Sequence, residues 1–108
     1  MSEKHHIIFR SQGGLNFPLN LIELTVEQHR GNGSPHLNRA RDLELKRQLQ
    51  LSLTKILSNK YYTAEELIKE LELKHIEAYK MVKHLYQCNG KYKTEDVIKR
   101  LLGGRFYI

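Results

Sequence analysis

Cysteine is almost missing from this chain: Cys88 is the only one in 108 residues. That excludes a disulfide within the chain, and it excludes a zinc knuckle built from several thiolates. No apolar run approaches the roughly 20 residues that span a bilayer. The N-terminus lacks the apolar segment of a secretory leader. Internal repeats and low-complexity stretches are also absent. These absences lead us to expect a soluble, cytoplasmic protein with no membrane partner.

What is present is positive charge. Lys and Arg number 18 against 12 acids, a formal net charge of +6. The excess is shared evenly: residues 1–59 and residues 60–108 each carry about +3. No basic tail is responsible, so a polyanionic partner would meet a folded surface. The length allows one domain or two very small ones, with a modest core.

The N-terminal third reads as strand, loop, strand, helix. Lys4 to Phe9 is short and apolar-rich and suits a strand. Arg10 to Leu19 holds Gly13, Gly14 and Pro18 and suits a loop. Leu21 to Leu24 suits a second strand. Thr25 and Gln28 then form a capping-box pattern opening a short helix that carries His29 and ends near Gly31-Asn32-Gly33. Ser34-Pro35 reads as the start of a long amphipathic helix reaching about Ser58. Leu45 and Leu51 put apolar surface on more than one of its sides, suited to packing on both neighbouring units or on a second copy. Thr63 and Glu66 form another capping box, for a helix with Leu67, Ile68 and Leu71 inside. A turn at Leu71–Lys74 leads to a helix from His75 to Gln87 expected to bury Ile76, Tyr79, Val82, Leu85 and Tyr86. Thr94 caps a last helix, and Phe106-Tyr107-Ile108 is a tail suited to a short strand. The expected fold is α-rich α+β, in three parts: residues 1–33, a linking helix over 34–59, and a helical module over 60–108.

The chemistry concentrates near the N-terminus, where His5-His6-Ile7-Ile8, Gly13-Gly14, Asn20-Leu21-Ile22 and Gln28-His29 follow one another. Imidazoles can hold a divalent metal and accept a proton near neutral pH. In order and spacing, residues 3–31 resemble the HNH family of ββα-metal endonucleases. The resemblance implies a small ββα-metal unit that hydrolyses phosphodiester bonds of DNA, by nicking or by dimer-dependent cutting. It implies His5 and His29 as metal ligands, His6 as the general base, and Asn20 as the residue that holds the loop and orients the base. Small phage-encoded proteins of this kind often carry a further His-containing patch, which Ser34-Pro35-His36-Leu37-Asn38 resembles. His36 is thus a third candidate ligand, or else a polar residue in the first turn of an exposed helix. The implied cofactor is one divalent ion, with Mg, Mn, Zn and Ni all open. The sequence departs from the family where a structural Cys pair is usual: Leu24-Thr25-Val26-Glu27-Gln28-His29 has none. Neighbouring residues on a regular strand also face opposite ways, so His5 and His6 share a site only if the strand ends or bulges there.

Arg10 and Arg30 flank the motif and suit phosphate contacts, or are solvated charges. Residues 63–87 resemble a helix-turn-helix, with Lys80, Lys83, His84 and Gln87 on one side of its second helix. That side suits DNA phosphates, while an ordinary solvated helix face is the plainer reading. Lys91-Tyr92-Lys93 forms a small wing or a loop. The expected partner is DNA, with a homodimer through the central helix and a phage or host protein as further partner classes. The competing function is an HNH-derived regulator or inhibitor that binds DNA or protein and has lost catalysis.

Overall fold

A computed structural model describes residues 2–31 and 33–108, so Asn32, at the centre of the glycine turn expected after His29, lies outside the described residues. Strands β1 (Ser2–His6) and β2 (Leu21–Thr25) pair antiparallel, with His5 opposite Ile22 and His6 opposite Leu21. β1 is shorter than the run of apolar residues suggests. Ile7 and Ile8 leave the sheet and turn into the core, both buried.

The loop between the strands contains two 3₁₀ turns, Arg10–Gln12 and Pro18–Asn20. Asn20 fastens it. Its fully buried side chain accepts from Ile8 N (2.7 Å) and donates to Ile8 O (3.2 Å) and Leu15 O (2.9 Å). The Gly13-Gly14 pair is needed for the same closure. Gly13 is left-handed, with φ 86°. A Cβ on Gly14 would lie 1.8 Å from the Ile8 carbonyl oxygen. Only glycine permits that approach.

Helix α1 (Val26–Arg30) follows β2 directly. Its capping box is complete: Gln28 N donates to Thr25 Oγ1 and Thr25 N donates to Gln28 Oε1. The long helix α2 runs from Arg39 to Ile56 rather than from Ser34. Asn38 is its cap, accepting from Arg41 N, because Ser34 is spent on a preceding turn: its carbonyl accepts from Leu37 N and Asn38 N. α2 turns Leu45, Lys46, Leu49 and Leu53 inward. Leu51 faces out, so the second apolar side anticipated at Leu45 and Leu51 reduces to exposed Leu51 and Ile56.

The C-terminal half holds β3 (Tyr61–Tyr62), α3 (Ala64–Leu71), α4 (His75–Val82), β4 (Gln87–Cys88), β5 (Lys91–Lys93) and α5 (Thr94–Leu101). The small sheet has the order β3-β5-β4. Asn89 (φ 52°) and Gly90 (φ 78°) form the two-residue turn between β4 and β5. Asn-Gly with both φ values positive suits the right-handed twist of a hairpin. The wing-or-loop alternative at Lys91–Lys93 is therefore a hairpin. Thr63 caps α3 through Glu66 N, and Glu72 ends the helix in the left-handed region at φ 53°.

Two expectations are corrected in α4. The helix stops at Val82, not Gln87, so Gln87 lies on β4 and His84 in the turn beyond the helix. The buried side is Glu77, Ala78 and Met81, whereas Ile76 (61% exposed), Tyr79 (64%) and Tyr86 (82%) face solvent. Two stripes compete on this helix at three- and four-residue spacing. The stripe containing Ala78 packs, since a small residue lets the helix approach its neighbours closely. The tail is not a strand: Tyr107 is buried and its N and O bond the Gln50 side chain of α2 (both 2.7 Å).

One buried cluster runs through all three parts of the chain. Ile8, Leu15 and Phe17 from the hairpin loop join Leu49 and Leu53 of α2 and Met81, Val97 and Leu101 of the C-terminal helices. Each such side chain, fully buried, contributes about 1.5–3 kcal/mol. The loop that carries Gly13-Gly14 is therefore anchored to the helices. Arg100 of α5 adds to this by donating to Gly13 O (3.0 Å).

Candidate metal centre

Three chain segments deliver one histidine each to a common point. His5 comes from β1, His29 from α1, and His36 from the turn before α2. One ring nitrogen of each lies within 4.8 Å of the others, close enough for the three to hold a metal ion. His29 Nε2 and His36 Nε2 are 3.1 Å apart. Two nitrogens about 2.1 Å from a shared ion are themselves about 3.0–3.4 Å apart for right-angle to tetrahedral arrangements. His36 is exposed, as the alternative reading of it as a polar surface residue has it, but it lies outside a helix. That residue precedes α2 and meets His29.

His5 is the innermost member, 1% exposed. Neither of its ring nitrogens has a hydrogen-bond partner. Burial, reinforced by the neighbouring His36 and His29, pushes its pKa down to about 4. The ring is thus neutral at physiological pH, with a lone pair available. An unpartnered buried polar atom is costly unless something binds it. Phe9 lines the other side, its ring 4.8 Å from that of His36 and 5.5 Å from that of His5.

His29 is oriented from behind. Its Nδ1 donates to Glu3 Oε1 (3.1 Å), which fixes the tautomer and leaves Nε2 to face the cluster. Glu3 also accepts from Arg30 Nε (3.0 Å) and Nη2 (2.6 Å). The His29 hydrogen bond, with help from Arg30, holds the Glu3 carboxyl below its ordinary range. A carboxylate on the far nitrogen of a histidine is a common support for a metal ligand. Arg30, anticipated as a phosphate contact or a solvated charge, pairs with Glu3 and keeps most of its side chain exposed.

His6 stands apart from the three. β1 ends at His6, and both it and His5 line one open pocket of about 360 Å³ with Phe9, Arg10, Ser11, His29 and His36. The end of the strand removes the difficulty of opposite faces. His6 Nε2 donates to Asn16 Oδ1 (2.5 Å), which turns Nδ1 away from that contact. The carboxamide that meets His6 is therefore Asn16. Asn20 holds the loop, as anticipated, but its three bonds go to Ile8 and Leu15.

Beneath the pocket lies a buried cation. Lys46 Nζ is 2.7 Å from Asp42 Oδ2 and 4.2 Å above the Phe9 ring. The pair braces Phe9 and sets a negative charge near His5. Glu3, Asn16, Phe9 and Lys46 all escaped the sequence reading. Glu3 had a signal, since it shares the face of β1 with His5 two residues on. Asp42 and Lys46 are spaced i, i+4 on α2, but nothing in that spacing announces burial. Asn16 had no signal.

Of the remaining candidates, Arg10, Lys80, Lys83 and His84 line a second pocket that adjoins the first at Arg10. Gln87 lines neither. Compared with known proteins, the chain matches no family model, no curated protein and no solved structure.

Proposed function

We propose that the protein is a metal-dependent endonuclease that hydrolyses phosphodiester bonds of DNA. The observation that carries this reading is the convergence of His5, His29 and His36 with the buried nitrogens of His5 left free. The donor set fits a divalent ion: three imidazoles, one of them backed by a carboxylate. His5, His29 and His36 would be the ligands. A bound divalent ion supplies charge stabilisation at the phosphate and at the departing oxygen.

The other residues divide the remaining work. His6 accepts a proton at Nδ1 from the attacking water, while Asn16 holds the ring through Nε2. Glu3 keeps His29 in the ligand tautomer. Asn20 holds the loop that positions Ile8 and Phe9 behind the cluster. Arg10, on the pocket rim, is placed to receive a phosphate oxygen. The order strand, loop, strand, helix around these residues supports an HNH-like unit with the Cys pair replaced by the shared core with α2.

The test is nicking of supercoiled plasmid with Mg, Mn, Zn or Ni supplied after chelation. Nicking is expected with at least one of them. His6→Ala should lower the rate by about 10²–10⁴, the usual worth of a general base, and keep metal binding. His5→Ala should abolish both. Metal binding with no nicking under any of the four ions would refute the enzyme and favour a binding protein that has lost catalysis.

A further inference from the structure

The metal-site pocket does not end at Arg10. Arg10 is also a wall of a second open groove, of about 530 Å³, formed where the hairpin loop meets α4 and α5. Four full cations line that groove: Arg10 from the loop, Lys80 from α4, Lys83 from the turn just after it, and Arg100 from α5. His84 joins them, and Glu77 is the one acid.

The acid offsets only one of these four charges, through its ion pair with Lys80. Glu77 is buried and accepts from Asn16 N (3.2 Å), and it lies 3.8 Å from Lys80. Arg100 is fixed in place by donating to Gly13 O (3.0 Å) and Lys80 O (3.3 Å). The side chains of Lys80 and Lys83 are exposed and able to follow a ligand, and Lys83 forms no ion pair among the described residues. The groove floor includes the Gly13-Gly14 backbone, where a side chain cannot intrude.

We propose that this groove carries the phosphodiester backbone of the DNA strand as it leaves the metal site, with Arg10 joining the two subsites. A set of fixed and mobile cations around one groove suits a repeating anion, and it supplies affinity without reading base sequence. The substrate is therefore DNA continuing for several nucleotides beyond the scissile phosphate, held on one side by Lys80, Lys83 and Arg100. This use of the groove rests on the nuclease reading, but its binding test needs no catalysis.

The experiment measures binding of a fluorescein-labelled 20-base-pair duplex to the full chain in EDTA, by anisotropy over 50–200 mM salt. Removing two phosphate contacts lowers the slope of log K against log salt by about 2 and weakens low-salt binding by at least about 10-fold. That is the result expected of Lys80→Ala/Lys83→Ala. Both positions lie on a helix surface or at its end, where Ala is well tolerated. The single change Lys83→Gln should lower the slope by about 1 and serves if the double variant does not fold. Lys55→Ala/Lys69→Ala removes the same charge from exposed sites outside the groove, and should leave the slope nearly unchanged. An equal effect of the control pair, no change in the groove variants, or equal binding of polyglutamate of matched charge would overturn the proposal. Loss of nicking under all metals with this slope change intact would instead count against the nuclease reading alone.

Discussion

Replacing Asn20 with Ala should cost the protein stability rather than chemistry. The side chain is 0% exposed and makes three hydrogen bonds, to Ile8 N, Ile8 O and Leu15 O, at 2.7, 3.2 and 2.9 Å. A net intramolecular hydrogen bond is worth about 1 kcal/mol, and each buried group left without a partner costs about 1–3 kcal/mol. Alanine cannot bond any of the three, and the space it leaves is too enclosed for water to replace the carboxamide freely. A loss of about 3–5 kcal/mol follows, out of a total of about 5–15 kcal/mol for a domain of this kind. Urea unfolding in EDTA reads this without metal. With a slope near 2 kcal/mol per molar, the midpoint should fall by about 2 M. Asn16→Ala is the companion. Asn16 is exposed, so its stability loss should stay below about 1 kcal/mol, while nicking falls because His6 loses its support. A midpoint shift under about 0.5 M for Asn20→Ala would refute the assignment of Asn20 as the fastening of the loop.

Glu3→Gln keeps the size of the side chain but weakens its hold on His29 and Arg30, and should reduce metal affinity about 10–100-fold; calorimetric titration with unchanged affinity would reject the supporting role. Lys46→Ala leaves Asp42 without its partner in a site where Lys46 is 1% exposed, and should cost about 3–5 kcal/mol by thermal melt, whereas Lys46→Met with Asp42→Asn should cost distinctly less. His5 gives a pH signature. Its folded pKa, about 4, lies below its ordinary 6.5, so the unfolded chain binds the proton first. The stability it contributes is complete above pH 6.5 and is lost as pH falls towards 4, by up to about 3 kcal/mol. Urea melts of the chelated protein between pH 7 and pH 4 check this, and His5→Gln should flatten the dependence; equal acid sensitivity in that variant would contradict it.

The helix starts at Thr25 and Thr63 were legible because a capping box is local: four residues contain donor, acceptor and spacing. The Asn89-Gly90 break was legible for the same reason, although whether it made a wing or a loop was not. The start of α2 is not legible because Ser34-Pro35 and Asn38 are both adequate caps, and the choice rests on a turn that uses the Ser34 carbonyl. The inner side of α4 is not legible because Tyr79 and Met81 belong to alternative stripes of similar spacing. Only the neighbouring helices distinguish them.

Composition and local pattern are enough to show which side chains could do chemistry: a cluster of imidazoles, a Gly-Gly loop and a surplus of positive charge in a chain with one thiol. Order and spacing suffice for that, because ligand chemistry and backbone permission belong to residue types. Packing of the whole chain governs which of them meet. It brought His36 to His29, set Glu3 behind His29, gave His6 to Asn16 rather than Asn20, and joined Arg10 to lysines more than 60 residues away. Those contacts arise from packing the hairpin loop against α2, α4 and α5 in one core. Long-range packing depends on the shapes of all its partners together, and no local window of sequence contains it.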